Sequence, residues 1–322
     1  MFAVYAESMS AEDPLSCLRT GERPDPVAED GWTTIEVRAA ALNHHDLWSL
    51  KGVGLKEQAL PMTLGCDASG VDEDGNEVVV HAVVSDPSWS GDETFDPKRS
   101  LLSERYQGTF ADRVVVPRRN VVPKPASLSF EEAACLPTAW LTAYRMLFTQ
   151  GGLKPGDSVL VQGAGGGVAT ALVALGRAGG LRVFATSRDE TKRQRALDLG
   201  AHEVFESGAR LPQRVDAVME TVGKATWSHS IKALRPGGTL VVSGTTSGAD
   251  PDNAELTRVF FLQLRVIGST MGTRTELAAL TELLDVSGVR PVIDRVLPME
   301  QARDGFAAMA EGGLFGKVVF TR

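Results

Sequence analysis

The feature that most constrains this chain is the run VLVQGAGGGVA at residues 159–169. An apolar strand passes straight into glycines and then into a helix of small residues. This arrangement lets a pyrophosphate reach backbone N–H groups at a helix N-terminus, because no side chain holds it off. Gly165, Gly166, Gly167 and Val168 are therefore candidate nucleotide contacts. Ala169 stands where a small residue lets the helix pack on the strand. A glycine run alone also fits a plain structural turn. The strand before it, the helix after it and a second strand at the right distance supply the context that the motif requires.

That second strand ends in VFATSR, residues 183–188. About twenty residues past the glycines, an NAD site usually places Asp or Glu to accept hydrogen bonds from the ribose hydroxyls. Here the position holds Ser187, followed by Arg188, with Lys192 one turn into the next helix. An acid there would repel a 2′-phosphate, whereas a hydroxyl with two cations would bind it. A solvated first helical turn is the plainer alternative, but it leaves the missing acid unexplained. The pattern points to NADPH rather than NADH.

Two textures meet near residue 120. Before it, β-rich runs at 33–40, 77–84 and 109–116 alternate with turns, and the polar stretch 85–106, with Pro87 and Pro97, reads as a loop or lobe. After it, residues 129–150 form a long amphipathic helix candidate interrupted by Pro137. Strands at 158–162, 182–186, 203–205, 215–220, 239–243 and 265–269 then alternate with helices at 168–177, 189–199, 225–234 and 254–262. Such alternation predicts an α/β fold with a doubly wound parallel sheet. A final apolar strand at 317–321 is able to return to the first domain.

The net charge of -8 argues against general affinity for nucleic acid or anionic membrane. No stretch approaches the ~20 apolar residues that span a bilayer. The first ten residues do not read as a signal peptide. Cys17, Cys66 and Cys135 are scattered, with no C-x-x-C pair. The expectation is a reduced, cytoplasmic protein that acts on a small molecule.

Together the segments ALNHHD (41–46), LGCDASG (64–70), GTFAD (108–112), LTAY (141–144), LRPGGT (234–239), GSTMG (268–272) and GKVV (316–319) resemble the medium-chain dehydrogenase/reductases. The similarity is to their zinc-free, quinone oxidoreductase-like members and covers nearly the whole length. It implies a GroES-like β-barrel domain over residues 1–121, completed by 287–322, and a Rossmann dinucleotide domain over 122–286. It also implies a cofactor cleft between the two.

Zinc-dependent members hold catalytic zinc with a Cys, a His and a Cys beside a Glu. The matching positions here are Asn43, Cys66 and Thr138, with Asp67 at the acidic place. One sulfur and no histidine make a poor site, since catalytic zinc needs about three protein ligands. His44 and His45 are adjacent and diverge if extended; His81 has no supporting spacing. The stretch matching the four-cysteine structural zinc lobe, 85–106, has no cysteine. Neither zinc site is expected.

Without a metal the easier chemistry is hydride delivery from NADPH to an electron-poor carbon of a quinone, an enone or an enoyl ester. By resemblance, Asn43 lies in the active-site cleft, where its amide would donate to a carbonyl or the cofactor; a structural asparagine bonding its own loop is the alternative. Thr142 resembles the residue that touches the nicotinamide, and His45 is the candidate proton donor. Asp46 holds the loop, and Trp48 lines the pocket or the core. Gly244, Thr245, Ser269, Thr270, Met271 and Lys317 match cofactor contacts. The sixth strand, which pairs across the dimer in many relatives, implies a homodimer. An enoyl-thioester reductase and an NADPH-binding sensor or structural protein without turnover are the competing readings.

Overall fold

The segment WTTIEVRAAA buries Thr33, Ile35, Val37 and Ala39 on one face, and this alternation makes it the ten-residue strand Trp32–Ala41. It is the spine of a seven-stranded sheet. Its neighbours are Asp67–Asp72 on one side and Lys317–Thr321 on the other, while Arg113–Pro117 pairs with its first half. The C-terminal strand returns as the sequence suggests, with Val319 opposite Ala41. The pairing continues as Leu42 N donates to Val318 O at 2.9 Å, so that Lys317 meets the start of the following turn.

This sheet belongs to the first of two compact units in the computed structural model, which describes residues 1–322. The first unit comprises Met1–Leu141 and Met271–Arg322, and the second Thr142–Thr270. In the first, a three-stranded sheet of Leu18–Glu22, Phe2–Ala6 and Met62–Thr63 completes the β-rich body. Phe110, Phe306 and Phe320 are fully buried at its centre, with Phe110 edge-on to Phe320 at 5.2 Å between ring centroids. The lobe at 85–106 is closed at its base by the pairing of Val83–Val84 with Ser100–Leu101 and is ordered by aspartates. The Asp96 carboxylate accepts from Asp86 N at 2.6 Å and from Lys98 N at 2.7 Å.

The second unit is a six-stranded parallel sheet. Its order is Glu203–Phe205, Arg182–Thr186, Ser158–Val161, Val215–Glu220, Leu234–Val242 and Arg265–Gly268, the doubly wound 3-2-1-4-5-6 arrangement. Leu160, Phe184, Val218, Ile231 and Leu240 form part of its apolar core. The fold class is as expected.

Two details depart from the sequence reading. The helical run at 129–150 is not broken at Pro137; Leu136–Trp140 and Arg145–Gln150 are π-helical turns flanking the α turn Leu141–Tyr144. A wider turn accommodates the missing donor and the ring of Pro137. The second unit is also shorter at both ends than 122–286. The early part of the helical run belongs with the β-rich unit because Phe130 O accepts from Ser69 Oγ at 2.5 Å and Thr138 Oγ1 donates to Asp67 Oδ1 at 2.5 Å. The helix Arg274–Ser287 belongs there too, with Arg274 N donating to Glu93 Oε1 at 3.3 Å. No helix is long and apolar enough to cross a membrane.

Candidate functional site

In the second unit the strand Ser158–Val161 turns through Gly163 and Gly165, at φ 74° and 139°, into the helix Gly167–Ala178. Those dihedrals require glycine. A side chain at Gly163 would place its Cβ 2.7 Å from Val222 Cγ2, whereas one at Gly166 would meet nothing within 4 Å. Gly166 therefore faces open space at the N-terminus of the helix, as a cradle for a pyrophosphate requires. The turn is fixed from below. Thr186 Oγ1 donates to Gln162 Oε1 at 2.6 Å, and Ala164 N donates to Thr186 O at 2.7 Å. Val168 follows in the first helical turn.

The neighbouring strand, Arg182–Thr186, ends at Ser187, which is buried and accepts from Asp189 N at 3.2 Å. Arg188 is exposed, and Lys192 is half-buried on the first turn of Glu190–Asp198. Asp189 is committed to capping that helix through Lys192 N at 3.0 Å. Gly244 and Thr245 follow the strand Leu234–Val242, beside the Thr221–Gly223 turn. Ser269 and Thr270 follow Arg265–Gly268; the Ser269 hydroxyl is buried without a hydrogen-bond partner, and Thr270 is exposed. Thr142 is buried on the α turn between the two π turns. An open glycine cradle and an orphaned hydroxyl suit a dinucleotide, so these residues fit the cofactor that the sequence implies.

In the β-rich unit the predicted residues gather around a buried charge. The Lys317 side chain is 3% exposed, and its ammonium donates to Leu42 O at 2.8 Å and to Asn43 Oδ1 at 2.5 Å. It lies 3.3 Å from Asp67 Oδ2, whose side chain has no exposure. Asn43 Nδ2 donates to Asp67 Oδ2 at 2.9 Å and to Ala41 O at 3.2 Å. Both amide hydrogens of Asn43 are thus committed, and the expectation that it donates to a substrate carbonyl gives way to a positioning role. Burial pushes the Asp67 carboxyl upward, against the opposing pull of Lys317, Thr138 and Asn43. Lys317 is bonded on all sides within this unit. Met271 lies in the unit's apolar core.

Three of the four positions that match a catalytic zinc site, Asn43, Asp67 and Thr138, are bonded to one another around an ammonium. That donor set does not fit zinc, because a buried cation already neutralises the carboxylate and Cys66 is the one strong ligand left. Cys66 instead faces His45, with its Sγ 3.4 Å from Nδ1. His45 sits at the start of the helix His44–Leu50, while His44 is exposed, so the two rings diverge although the segment is helical rather than extended. The other ring nitrogen of His45 lies 3.1 Å from Glu104 Oε1. Asp46 anchors the same corner, accepting from Asn43 N at 2.8 Å and Gly65 N at 3.0 Å.

Burial alone would lower the His45 pKa, yet it stands well above the ordinary value because Cys66, Asp46 and Glu104 surround the ring. Burial pushes the Cys66 thiol up to about 11. The sulfur is therefore protonated near neutral pH, and the carboxylates are what favour the imidazolium. Glu104 itself is held below its usual range; burial is the largest influence and opposes this, but the bonds to His45 and Leu101 N and the charges of His45 and Arg99 together outweigh it. His81 takes no part. It is fully buried with neither ring nitrogen bonded, and burial pushes its pKa down to about 3.

Glu104 escaped the sequence reading. It lies 59 positions from His45, in a lobe whose polarity reads only as loop. Trp48 is half-buried, with its ring 6.3 Å from that of His44.

Gly65 positions Cys66. It has φ +95°, and a Cβ there would lie 2.5 Å from both Phe110 Cδ1 and Thr109 Oγ1. Gly65→Ala should therefore lower the unfolding free energy by more than ~1 kcal/mol, the scale set by glycine at positive φ. Urea denaturation checks this, and an unchanged midpoint would show that the corner tolerates the shift.

Residues 29–126 match the family model described as alcohol dehydrogenase GroES-like domain, and residues 167–286 the model described as zinc-binding dehydrogenase. The chain is 28% identical over 311 residues to the quinone oxidoreductase of Mus musculus, covering 91% of this chain and 90% of that one. It is 26% identical over 324 residues to the acryloyl-coenzyme A reductase of Sulfurisphaera tokodaii, covering 95% and 97%. A solved structure described as an NAD-dependent alcohol dehydrogenase aligns over 100% of both chains, with a TM-score of 0.92 and 34% identity. With that likeness, the two matched domains and the dinucleotide turn in hand, the chain belongs to the medium-chain dehydrogenase/reductases of the quinone oxidoreductase-like kind, which makes it a nicotinamide-dependent oxidoreductase.

Proposed function

We propose that this protein is an NADPH-dependent reductase that delivers hydride, without a metal, to a quinone, an enone or a similar activated carbonyl compound. The observation that carries the nucleotide choice is the end of the strand Arg182–Thr186. Ser187 stands where an NAD enzyme has an acid, Arg188 is exposed, and the carboxylate that follows it in the chain, Asp189, is occupied as a helix cap. The similar solved structure is described as NAD-dependent. Coenzyme preference is therefore the property that discriminates.

When bound, NADPH supplies the hydride. In this reading Gly165, Gly166, Gly167 and Val168 hold its pyrophosphate, and Ser187, Arg188 and Lys192 its 2′-phosphate. Gly244, Thr245, Ser269, Thr270 and Thr142 complete the contacts. Hydride addition leaves an anion that needs a proton, and His45, flanked by Asp46 and Glu104, is the general acid. Asn43 and Lys317 keep the turn that leads into the helix of His45 in place. The likeness to acryloyl-coenzyme A reductase favours an enoyl thioester as a second acceptor class. The three cysteines are buried and unpaired, which suits a reducing cytoplasm.

A homodimer is part of the proposal. The strand Arg265–Gly268 is at the edge of its sheet, where Val266 is 44% exposed, and the preceding helix exposes Leu256, Phe260 and Phe261 at 70%, 70% and 76%. An exposed apolar edge of this kind needs a partner. Sedimentation of the wild type should give twice the mass of 34.4 kDa, and Phe261→Asp should give the single mass. A monomeric wild type would rule the dimer out.

In chelator-treated protein, kcat/KM for NADPH with a quinone or enone should exceed that for NADH by roughly tenfold or more. Arg188→Leu should cut the NADPH value by about tenfold and leave NADH unchanged, as loss of one charge-assisted contact implies. Preference for NADH would overturn the assignment. His45→Gln should lower kcat by about a hundredfold or more while NADPH binding is retained. An unchanged kcat would remove His45 from the mechanism, and NADPH binding with no accepted oxidant would favour a sensor.

A further inference from the structure

We propose that His45, Asp46 and Cys66 form a binding site for a divalent cation of the zinc class, with Glu104 fixing the histidine. Of the positions matching the zinc ligands of zinc-dependent relatives, this set shares only Cys66. The hydride chemistry proposed above does not call on the ion, and an occupied site would withdraw His45 from proton transfer.

The ligand atoms of the three side chains lie within 4.8 Å of one another. Zinc bonds thiolate sulfur at about 2.3 Å and imidazole nitrogen or carboxylate oxygen at about 2.0–2.2 Å, so tetrahedral neighbours sit roughly 3.4–3.6 Å apart. Cys66 Sγ and His45 Nδ1 are 3.4 Å apart, already at that spacing. His45 Nδ1 and Asp46 Oδ1 are 4.0 Å apart. Two backbone N–H groups hold Asp46, so closing the set from its 4.8 Å limit falls to the Cys66 thiol and the His45 ring, which turn by roughly an ångström while His45 keeps its contact with Glu104.

Glu104 supplies an independent reason. A metal-bound histidine almost always donates its other ring N–H to a carboxylate or carbonyl, which fixes the tautomer and turns the ligating nitrogen toward the ion. His45 Nε2 is 3.1 Å from Glu104 Oε1, so the nitrogen left for an ion is Nδ1, the one facing Cys66. Glu104 is itself anchored by Leu101 N, which donates to its Oε2 at 3.2 Å. Thiolate and imidazole select zinc or cobalt over magnesium or calcium. On binding, Cys66 loses its S–H proton and the imidazolium its Nδ1 proton, both to solvent, and metal–sulfur and metal–nitrogen bonds form with no change of oxidation state. Three protein ligands leave a fourth position open.

The test uses full-length protein, stripped with chelator and titrated with cobalt(II) in the absence of nucleotide. One equivalent should bind with tetrahedral bands in the visible and a sulfur-to-cobalt charge-transfer band in the near ultraviolet. Cys66→Ser should abolish the charge-transfer band, and Glu104→Gln should weaken binding about 10–100-fold while keeping it. Circular dichroism checks folding. Should Cys66→Ser fail to fold, His45→Gln gives the same answer through loss of stoichiometric binding. No charge-transfer band with excess cobalt, or a band unchanged by Cys66→Ser, would overturn the site. Because NADPH oxidation is not the readout, failure of the reductase reading leaves this result untouched.

Discussion

The ammonium of Lys317 and the carboxylate of Asp67 meet inside the β-rich unit with almost no exposure, and much of the local architecture depends on that contact. Two charges removed from water carry a desolvation cost of several kcal/mol each, offset only when geometry and hydrogen bonding are nearly complete. Completeness is what the surroundings provide. Leu42 O and Asn43 Oδ1 accept from the ammonium, while Asn43 Nδ2 and Thr138 Oγ1 donate to the carboxylate. Four distant segments are tied at one point, and sheet register brings three of them there: Val319 opposite Ala41, and Ala41 opposite Asp67. The turn so fixed leads directly into the helix that carries His45 and Asp46.

The contact also bears on the chemistry proposed for this chain. A buried ammonium among Asn43, Asp67 and Thr138 neutralises the carboxylate and engages the polar atoms that might otherwise face a metal at those positions. Activation of an unreactive alcohol by a Lewis acid is not supported by that donor set, whereas hydride transfer to an already electron-poor carbon makes smaller demands on the protein. A separate corner, His45 with Cys66 and Glu104, keeps titratable and metal-ligating groups together. Proton donation and metal ligation are alternative uses of the same imidazole.

The dinucleotide turn was legible because backbone geometry there admits only certain residues. Gly163 and Gly165 take dihedrals that other residues resist, and Gly166 must leave its space open. The parallel sheet was equally legible from alternating strands and helices. What escaped depends on contacts between segments far apart in the chain. Glu104 meets His45 across 59 positions, and no spacing rule links a lobe residue to a helix N-terminus. Asn43 was recognised as important, but its commitment to Asp67 and Ala41 appears only once the loop is folded. Pro137 looked like a break and became a π turn, because the helical run continues through packing that local propensity does not register.

The most direct test of the central claim is a double-mutant cycle on Lys317→Met and Asp67→Asn, read as unfolding free energy in urea. Each single variant leaves a buried partner uncompensated and should lose about 3–5 kcal/mol. The double variant should lose less than the sum by about 2 kcal/mol or more, the coupling expected of groups in direct contact. Additive losses would mean that the ammonium and the carboxylate do not support one another, and the account of this corner as a charge-centred scaffold would fall.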